Sequence, residues 1–131
     1  MEKKTFKKEE RLCSKSLIDK LFHSGSSFIV YPFRMVYKLD TDISITNRGV
    51  QVIISVAKKR FRRAHDRNRI KRLMREVYRL EKGTLLYPYI KSNDLTLLLA
   101  IQYVGKEELP FELLSSKMKK GIEQLVHELP E

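Results

Sequence analysis

The sequence has little of what builds disulfides or membrane spans. Cys13 is the only cysteine among the 131 residues, so no internal disulfide forms, and a reducing cytoplasm is favoured. The charged N-terminus, MEKKTFKKEER, lacks the apolar stretch of a secretory signal. The longest apolar run, Leu97–Ile101, is far too short to cross a bilayer. These features predict a cytoplasmic protein that is neither secreted nor membrane-spanning.

Side chains that carry out catalysis are also too scattered to predict an active site. A metal nuclease needs convergent carboxylates, and among the aspartates only Asp40 and Asp42 form an Asp-x-Asp pair, in an expected turn. The three histidines lack the spacing of metal ligands, and His65 fits better as a helix-start residue than as an acid or base. Cys13 has no recognisable base partner. The sequence therefore predicts neither a catalytic residue nor a metal site in the protein.

What the chain does have is positive charge, concentrated in one segment. Residues 58–79, KKRFRRAHDRNRIKRLMREVYR, hold eleven Lys and Arg against two acids, Asp66 and Glu76. The segment thus carries +9 of the chain's formal net charge of +11. Clustered positive charge indicates a polyanionic partner, either nucleic acid or an anionic membrane surface.

Apolar residues within this segment recur at helical spacing. Their position helps to decide between nucleic acid and a membrane surface as the partner. At 100° per residue, one stripe contains Ile70, Leu73, Met74, Val77 and Leu80, and the opposite arc contains Asn68, Lys71, Arg72, Arg75 and Arg79. Asp66 is expected to cap or charge the first turn, and Gly83 to stop the helix. A membrane-surface or calmodulin-target helix needs an exposed apolar face, whereas this stripe is needed to cover a sheet. A merely solvated helix would mix charges of opposite sign, so the ridge predicts a phosphate-binding surface.

The rest of the chain predicts an α+β fold with the order α-β-β-β-α-β-α, a sandwich of one central sheet and helices. The expected elements are a helix at Ser14–Ser24 capped by Ser14 and ended by Gly25, a strand at Phe28–Leu39 that is either continuous or broken at Pro32, a turn at Asp40–Gly49, strands at Gly49–Val56 and Asp94–Tyr103, and a helix at Leu109–Leu129. Residues 1–131 are expected to form a single domain that binds nucleic acid, with mobile ends at residues 1–10 and 130–131.

Residues 55–80, SVAKKRFRRAHDRNRIKRLMREVYRL, resemble the signature of the protein subunit of bacterial ribonuclease P, centred on Arg67-Asn68-Arg69. Arg11-Leu12, Phe22 and Gly25 also stand in the family's order, whereas Ile18 replaces a frequent Phe. The resemblance implies a left-handed β-α-β crossover around the basic helix. It further implies that a large RNA subunit, using Mg²⁺ that it holds itself, removes the 5′ leader of precursor transfer RNA. The protein would bind both RNAs and require no protein partner.

The resemblance also assigns two groups of binding residues. The group facing the RNA subunit comprises Lys58, Arg62, Arg63, Arg67, Asn68, Arg69, Lys71, Arg72 and Arg75. The group lining a cleft for the single-stranded leader comprises Ile18, Phe22, Phe33, Val36, Tyr37 and Lys59. Two alternatives stay open, since an aromatic residue on a strand is as often core as ligand-binding, and Asn68 fits a local cap as well as a base contact.

Two other functions are compatible with a basic α+β domain. One is a non-catalytic RNA-binding protein associated with ribosomes or RNA assembly. The other is a ribonuclease that acts without an RNA subunit. Cleavage of precursor transfer RNA by the protein alone, by the RNA alone and by both together distinguishes these functions from the ribonuclease P subunit.

Overall fold

The computed structural model describes residues 11–39, 49–83, 86–93 and 95–129. The expectations for residues 1–10, 40–48 and 130–131 lie outside these ranges. The elements are α1 (Lys15–Ser24), β1 (Ser26–Val30), β2 (Phe33–Leu39), β3 (Gly49–Val56), α2 (Ala64–Glu81), α3 (Leu86–Ser92), β4 (Thr96–Tyr103) and α4 (Phe111–Glu128). The mixed α+β class is confirmed, and the aromatic strand is two strands separated at Tyr31-Pro32.

Helix α3 is an element that the sequence pattern does not predict. It is seven residues long and carries Pro88. Two of its residues, Leu86 and Ile90, are buried in the main core. Two apolar contacts in so short a segment do not produce a recognisable period of 3.6 residues, so only packing identifies the helix.

The four strands form one sheet in the order β1-β2-β4-β3. The β1–β2 and β2–β4 pairs are antiparallel, whereas β3 and β4 are parallel. Parallel neighbours require a crossover connection, and here α2 and α3 provide it. The left hand of this crossover remains a prediction from the family resemblance.

The two faces of the sheet are covered unequally. Helices α2, α3 and α4 pack on one face and bury the main core, which includes Phe33, Met35, Leu99, Ile101 and Tyr103. On the other face, α1 is the one helix that the described residues supply, and the smaller core beneath it consists of Leu12, Leu21, Val36, Leu98 and Ala100. Because α1 has only ten residues, the described part of the chain covers that face only in part.

The ends of α1 follow the predicted capping. The Leu17 N–H donates to Ser14 Oγ at 3.4 Å, and the Gly25 N–H donates to the Leu21 carbonyl at 2.8 Å. A Cβ atom on Gly25 would lie 2.9 Å from the Tyr37 carbonyl oxygen, so glycine is required by close approach to β2. This contact fixes the junction between α1 and the sheet.

Helix α2 presents the two faces that its sequence predicts. Ile70, Met74 and Val77 are buried in the main core, whereas Arg72 and Arg75 are exposed. Tyr78 joins the buried stripe, while two residues of the predicted stripe, Leu73 and Leu80, are only partly buried. The helical period therefore predicted which side of α2 faces the core. It did not predict how deeply the residues at the margins of the apolar stripe are buried.

The ends of α2 differ in detail from expectation. The N-cap residue is Arg63, which makes no side-chain capping bond, and Asp66 supplies charge in the first turn instead of a cap. The helix ends at Glu81, and Gly83 follows the C-cap residue Lys82.

Candidate nucleic-acid interface

Most of the basic side chains predicted to bind the RNA subunit are accessible. Two of the nine predicted residues, Arg67 and Lys71, are partly buried. The other seven are exposed, namely Lys58, Arg62, Arg63, Asn68, Arg69, Arg72 and Arg75. We call this set, which lies on α2 and the loop before it, the basic ridge. The loop starts directly after β3, and the Arg60 N–H closes its first turn by donating to the Ala57 carbonyl at 3.2 Å.

Arg67 holds this loop against α2. One of its guanidinium nitrogens, Nη1, donates to the Phe61 carbonyl at 2.9 Å and to the Arg62 carbonyl at 2.8 Å. The Phe61 ring packs edge-on against Tyr103 with centroids 5.9 Å apart. Arg67 therefore gives the loop that carries Lys58, Lys59 and Arg62 a defined position on the helix.

Arg69 is held by a carboxylate from a distant part of the chain. Its Nε lies 2.9 Å from Glu108 Oε1, and its Nη2 lies 2.7 Å from Glu108 Oε2, which is a bidentate pair. Asp66 adds a weaker contact at 3.3 Å. The hydrogen bonds to Glu108, with the charge of that carboxylate, raise the pKa of Arg69. In the free protein, the charge of Arg69 is thus already matched by acids.

Lys71, Arg72 and Arg75 have no such partner. Among the residues that the structure describes, no carboxylate lies within ion-pair distance of these three cations. Arg75 reaches the outer edge of β3, where Arg11 bridges to Val52, and the two arginines border a shallow depression there. A row of unmatched guanidinium and ammonium groups on a rigid helix is suited to binding phosphate oxygens.

The predicted leader cleft is only partly supported by where its residues lie. Phe22 on α1 is 42% exposed, and Ile18, one turn earlier, is partly buried against the smaller core. Val36 lies beneath α1 and is 2% exposed, so it forms the floor of the helix contact and offers little surface. Lys59 is exposed in the loop after β3.

Two of the predicted cleft aromatics need correction. Phe33 is 0% exposed in the main core, on the opposite face of the sheet from α1. Tyr37 lies on that same opposite face, with its ring 6.0 Å from that of Phe28. Burial and the neighbouring charge of Glu128 raise the pKa of Tyr37, and a hydrogen bond with Ser26 partly opposes this. Because side chains alternate along a strand, Phe33 and Tyr37 lie on the same face of β2. The helices that bury the main core pack on that face.

Other residues fill the surface that α1 leaves uncovered. The strand register places Ser55, Gln102, Arg34 and Ile29 side by side across all four strands. This row lies two residues beyond Val36 and Ala100 and therefore faces the α1 side. Ile29 is 61% exposed, and Tyr31 in the following turn is 51% exposed. We call this row, with Tyr31 and Phe22, the open groove.

Sequence reasoning did not identify the open groove because its members are far apart in the chain. The one local signal was Tyr31-Pro32, which marks a turn that leaves Tyr31 and Ile29 at the sheet edge. Arg34 and Gln102 are 68 residues apart, and only the register between β2 and β4 brings them together.

In the ranges that the structure describes, no group of three or more His, Cys, Asp or Glu residues is arranged to hold a metal ion. In the same ranges, no helix is long and apolar enough to span a membrane.

The family model described as Ribonuclease P matches residues 6–126. The chain belongs to the ribonuclease P family. The ribonuclease P protein component of Porphyromonas gingivalis is 37% identical over 123 residues, which cover 94% of this chain and 88% of that protein. The ribonuclease P protein component of Chlorobium phaeobacteroides is 35% identical over an aligned region that covers 95% of this chain and 88% of that protein.

Solved structures of ribonuclease P proteins share this fold. The protein from Thermotoga maritima superposes with a TM-score of 0.66 at 20% identity, covering 93% of this chain and 99% of that chain. A protein from Staphylococcus aureus gives a TM-score of 0.66 at 16% identity, covering 88% of this chain and 94% of that chain. The resemblance inferred from residues 55–80 is thereby confirmed at the level of family and fold.

Proposed function

We propose that the chain is the protein subunit of ribonuclease P and binds two RNAs, the catalytic RNA subunit and the 5′ leader of precursor transfer RNA. Membership of the ribonuclease P family supports a role in maturation of the transfer RNA 5′ end. The reaction is endonucleolytic cleavage in the cytoplasm, and the protein's part is to bind and position the RNAs.

One observation carries the assignment of the RNA subunit to the basic ridge. Lys71, Arg72 and Arg75 stand on the exposed side of α2, and no acid of the described ranges matches them. Stacking like charges on one helix face destabilises the free protein unless a polyanion is present. Contacts from such a face to phosphates fix the position of an RNA helix without reading its sequence.

The leader occupies the open groove in this proposal. Single-stranded RNA binds where aromatic or apolar side chains are exposed beside a basic track. Phe22, Ile29 and Tyr31 supply the exposed surface, and Lys59 in the loop after β3 supplies charge at the same end of the sheet. The groove and the basic ridge lie on different sides of the sheet, so both RNAs bind simultaneously.

The chemistry belongs to the RNA subunit, with Mg²⁺ held there. The protein residues that the structure describes do not fit a metal site, since their acids, histidines and cysteine form no suitable group. The protein's contribution is therefore to orient the precursor against the RNA and to neutralise phosphate repulsion between the two.

A cleavage assay tests this function against its two alternatives. Precursor transfer RNA is incubated at low Mg²⁺ with the protein, with the RNA subunit, and with both. Efficient cleavage only with both supports the proposal. Cleavage by the protein alone would identify a self-sufficient ribonuclease. The absence of any stimulation would favour a general RNA-binding protein of ribosome or RNA assembly.

A further inference from the structure

A polar pair lies in the row that forms the open groove, outside both hydrophobic cores. Arg34 Nη1 donates to Gln102 Oε1 at 2.7 Å across the β2–β4 register. Both side chains are partly buried, so the surrounding strands restrict their orientation. No carboxylate of the described residues lies within ion-pair distance of Arg34.

The chemistry of this pair leaves mainly hydrogen-bond donors unused. A guanidinium has no acceptor, so Gln102 must turn its carbonyl oxygen to Arg34 and direct its NH₂ group elsewhere. The remaining N–H groups of Arg34 and the amide NH₂ of Gln102 are all donors. The bidentate contact that glutamine makes with adenine needs the amide oxygen, which is already engaged here.

A guanine base matches a site rich in donors. Its O6 and N7 are adjacent acceptors that a guanidinium contacts in a bidentate manner. At the equivalent edge, adenine presents an amino group that would set donor against donor, and uracil offers the single acceptor O4. Cytosine can match two donors only through N3 and O2 on its Watson–Crick edge, so leaders that contain cytosine belong in the test. In single-stranded RNA, the bases are unstacked and their edges are accessible. Ile29, which is 61% exposed and pairs with Arg34 in the strand register, supplies apolar surface against which such a base packs.

We propose that Arg34 and Gln102 read a guanine at one position of the 5′ leader. The inference rests on the proposed function, because it requires the leader to lie in the open groove. It adds base specificity to a surface that otherwise binds any single strand by stacking and charge. A bidentate contact of this kind discriminates against a wrong base by roughly 5- to 150-fold in affinity.

The test measures dissociation constants of the protein–RNA holoenzyme for a set of precursor transfer RNAs. Their leaders are oligouridine with guanine, adenine or cytosine placed at one position at a time. The expected result is one position at which guanine binds at least about fivefold more tightly than adenine. Arg34→Met and Gln102→Glu should both abolish this preference, the first by removing the donors and the second by pairing Arg34 with a carboxylate.

Lys38→Met is the matched control, because it removes a cation from the same strand and the same face outside the row. It should retain the guanine preference. Thermal melts of the three variants establish that each is folded, and Gln102→Glu, which preserves side-chain size, keeps the test valid if Arg34→Met unfolds. A preference that survives both Arg34→Met and Gln102→Glu would overturn the inference. So would an Arg34→Met variant that weakens all four leaders equally, since Arg34 would then bind phosphate.

Leader length separates this inference from the proposed function. Shortening the oligouridine leader to one nucleotide should weaken binding if the open groove holds the leader at all. If length affects affinity but no position distinguishes guanine from adenine, only the guanine assignment fails. If length has no effect on affinity, the proposed leader groove itself is wrong and the guanine assignment fails with it.

Discussion

At the scale of single residues, arginines that are equivalent in the sequence have different roles. Arg67 binds two backbone carbonyls, Arg69 pairs with Glu108, and Arg72 has no acidic partner in the described ranges. The sequence could place all three on one basic helix but could not separate them. Glu108 is 39 residues from Arg69, and a pairing at that distance depends on where the β4–α4 loop passes α2.

The pair between Arg69 and Glu108 predicts the effect of removing the carboxylate. Glu108→Gln should strengthen binding of the RNA subunit by up to about fivefold, a small effect because the ion pair is exposed. The reason is that Arg69 becomes available to phosphate. Equilibrium titration at low salt measures the change. Glu107→Gln is the control, since it removes the same charge from the adjacent exposed residue. Weaker binding in Glu108→Gln alone would mean that Glu108 orients Arg69 for the RNA.

Phe22 is the residue on which the leader contact of α1 depends. Because its side chain is already 42% exposed, Phe22→Ala should change the melting temperature little. It should weaken binding of precursor transfer RNA by about 1–3 kcal/mol, the value of one base–aromatic stack, and leave mature transfer RNA unaffected. Phe33→Ala provides the contrast, since truncation of a fully buried ring costs about 3–5 kcal/mol of stability. Equal loss for precursor and mature transfer RNA in Phe22→Ala would argue against the leader contact.

At the scale of elements, the three longer helices were predictable, whereas the short helix α3 and the core-facing side of β2 were not. The period of α2 predicted its buried Ile70 and exposed Arg75, because a helix has one apolar stripe. For β2 the pattern gave two possible faces, and the choice depended on which helices pack where. Phe33 and Tyr37 were therefore assigned to the cleft, although α4 and α2 cover the face on which they lie.

The two faces of α2 should respond differently to mutation. Arg72→Ala combined with Arg75→Ala should weaken RNA binding and leave stability nearly unchanged, since both side chains are exposed. Met74→Ala should destabilise the fold by about 2–5 kcal/mol, because Met74 is 0% exposed in the main core. Thermal melts and RNA titrations on both variants make the comparison. A large melting loss in the arginine double variant would show that the faces are inverted.

The pair of Glu76 and Arg79 gives α2 a predictable pH dependence. The hydrogen bond from Arg79 lowers the pKa of Glu76 below its usual value of 4.5. A depressed folded-state pKa contributes stability above the unfolded value and loses it as pH falls through the folded value. The melting difference between the native protein and Glu76→Gln should thus be constant above about pH 5 and vanish in more acidic solution. A difference that persists unchanged at pH 3 would contradict this interpretation.

At the scale of the whole molecule, the sheet separates the two surfaces that we propose bind RNA. The basic ridge follows α2 on the side of the main core, and the open groove lies on the side that α1 partly covers. The loop held by Arg67 connects them, because it begins at the end of β3 beside Ser55 and leads into α2. Charge clustering revealed the ridge from sequence alone. The groove required the register of four strands, which no local pattern encodes.

The measurement that most directly tests the central claim is the salt dependence of binding between the protein and the RNA subunit. If the basic ridge neutralises about six phosphates, the logarithm of the association constant should fall with the logarithm of salt concentration with a slope of roughly −4 to −5. The Arg72→Ala, Arg75→Ala double variant should make the slope shallower by about 2, as expected for two lost phosphate contacts. A slope near −1 for the native protein, or an unchanged slope in the double variant, would contradict a phosphate-binding ridge on α2.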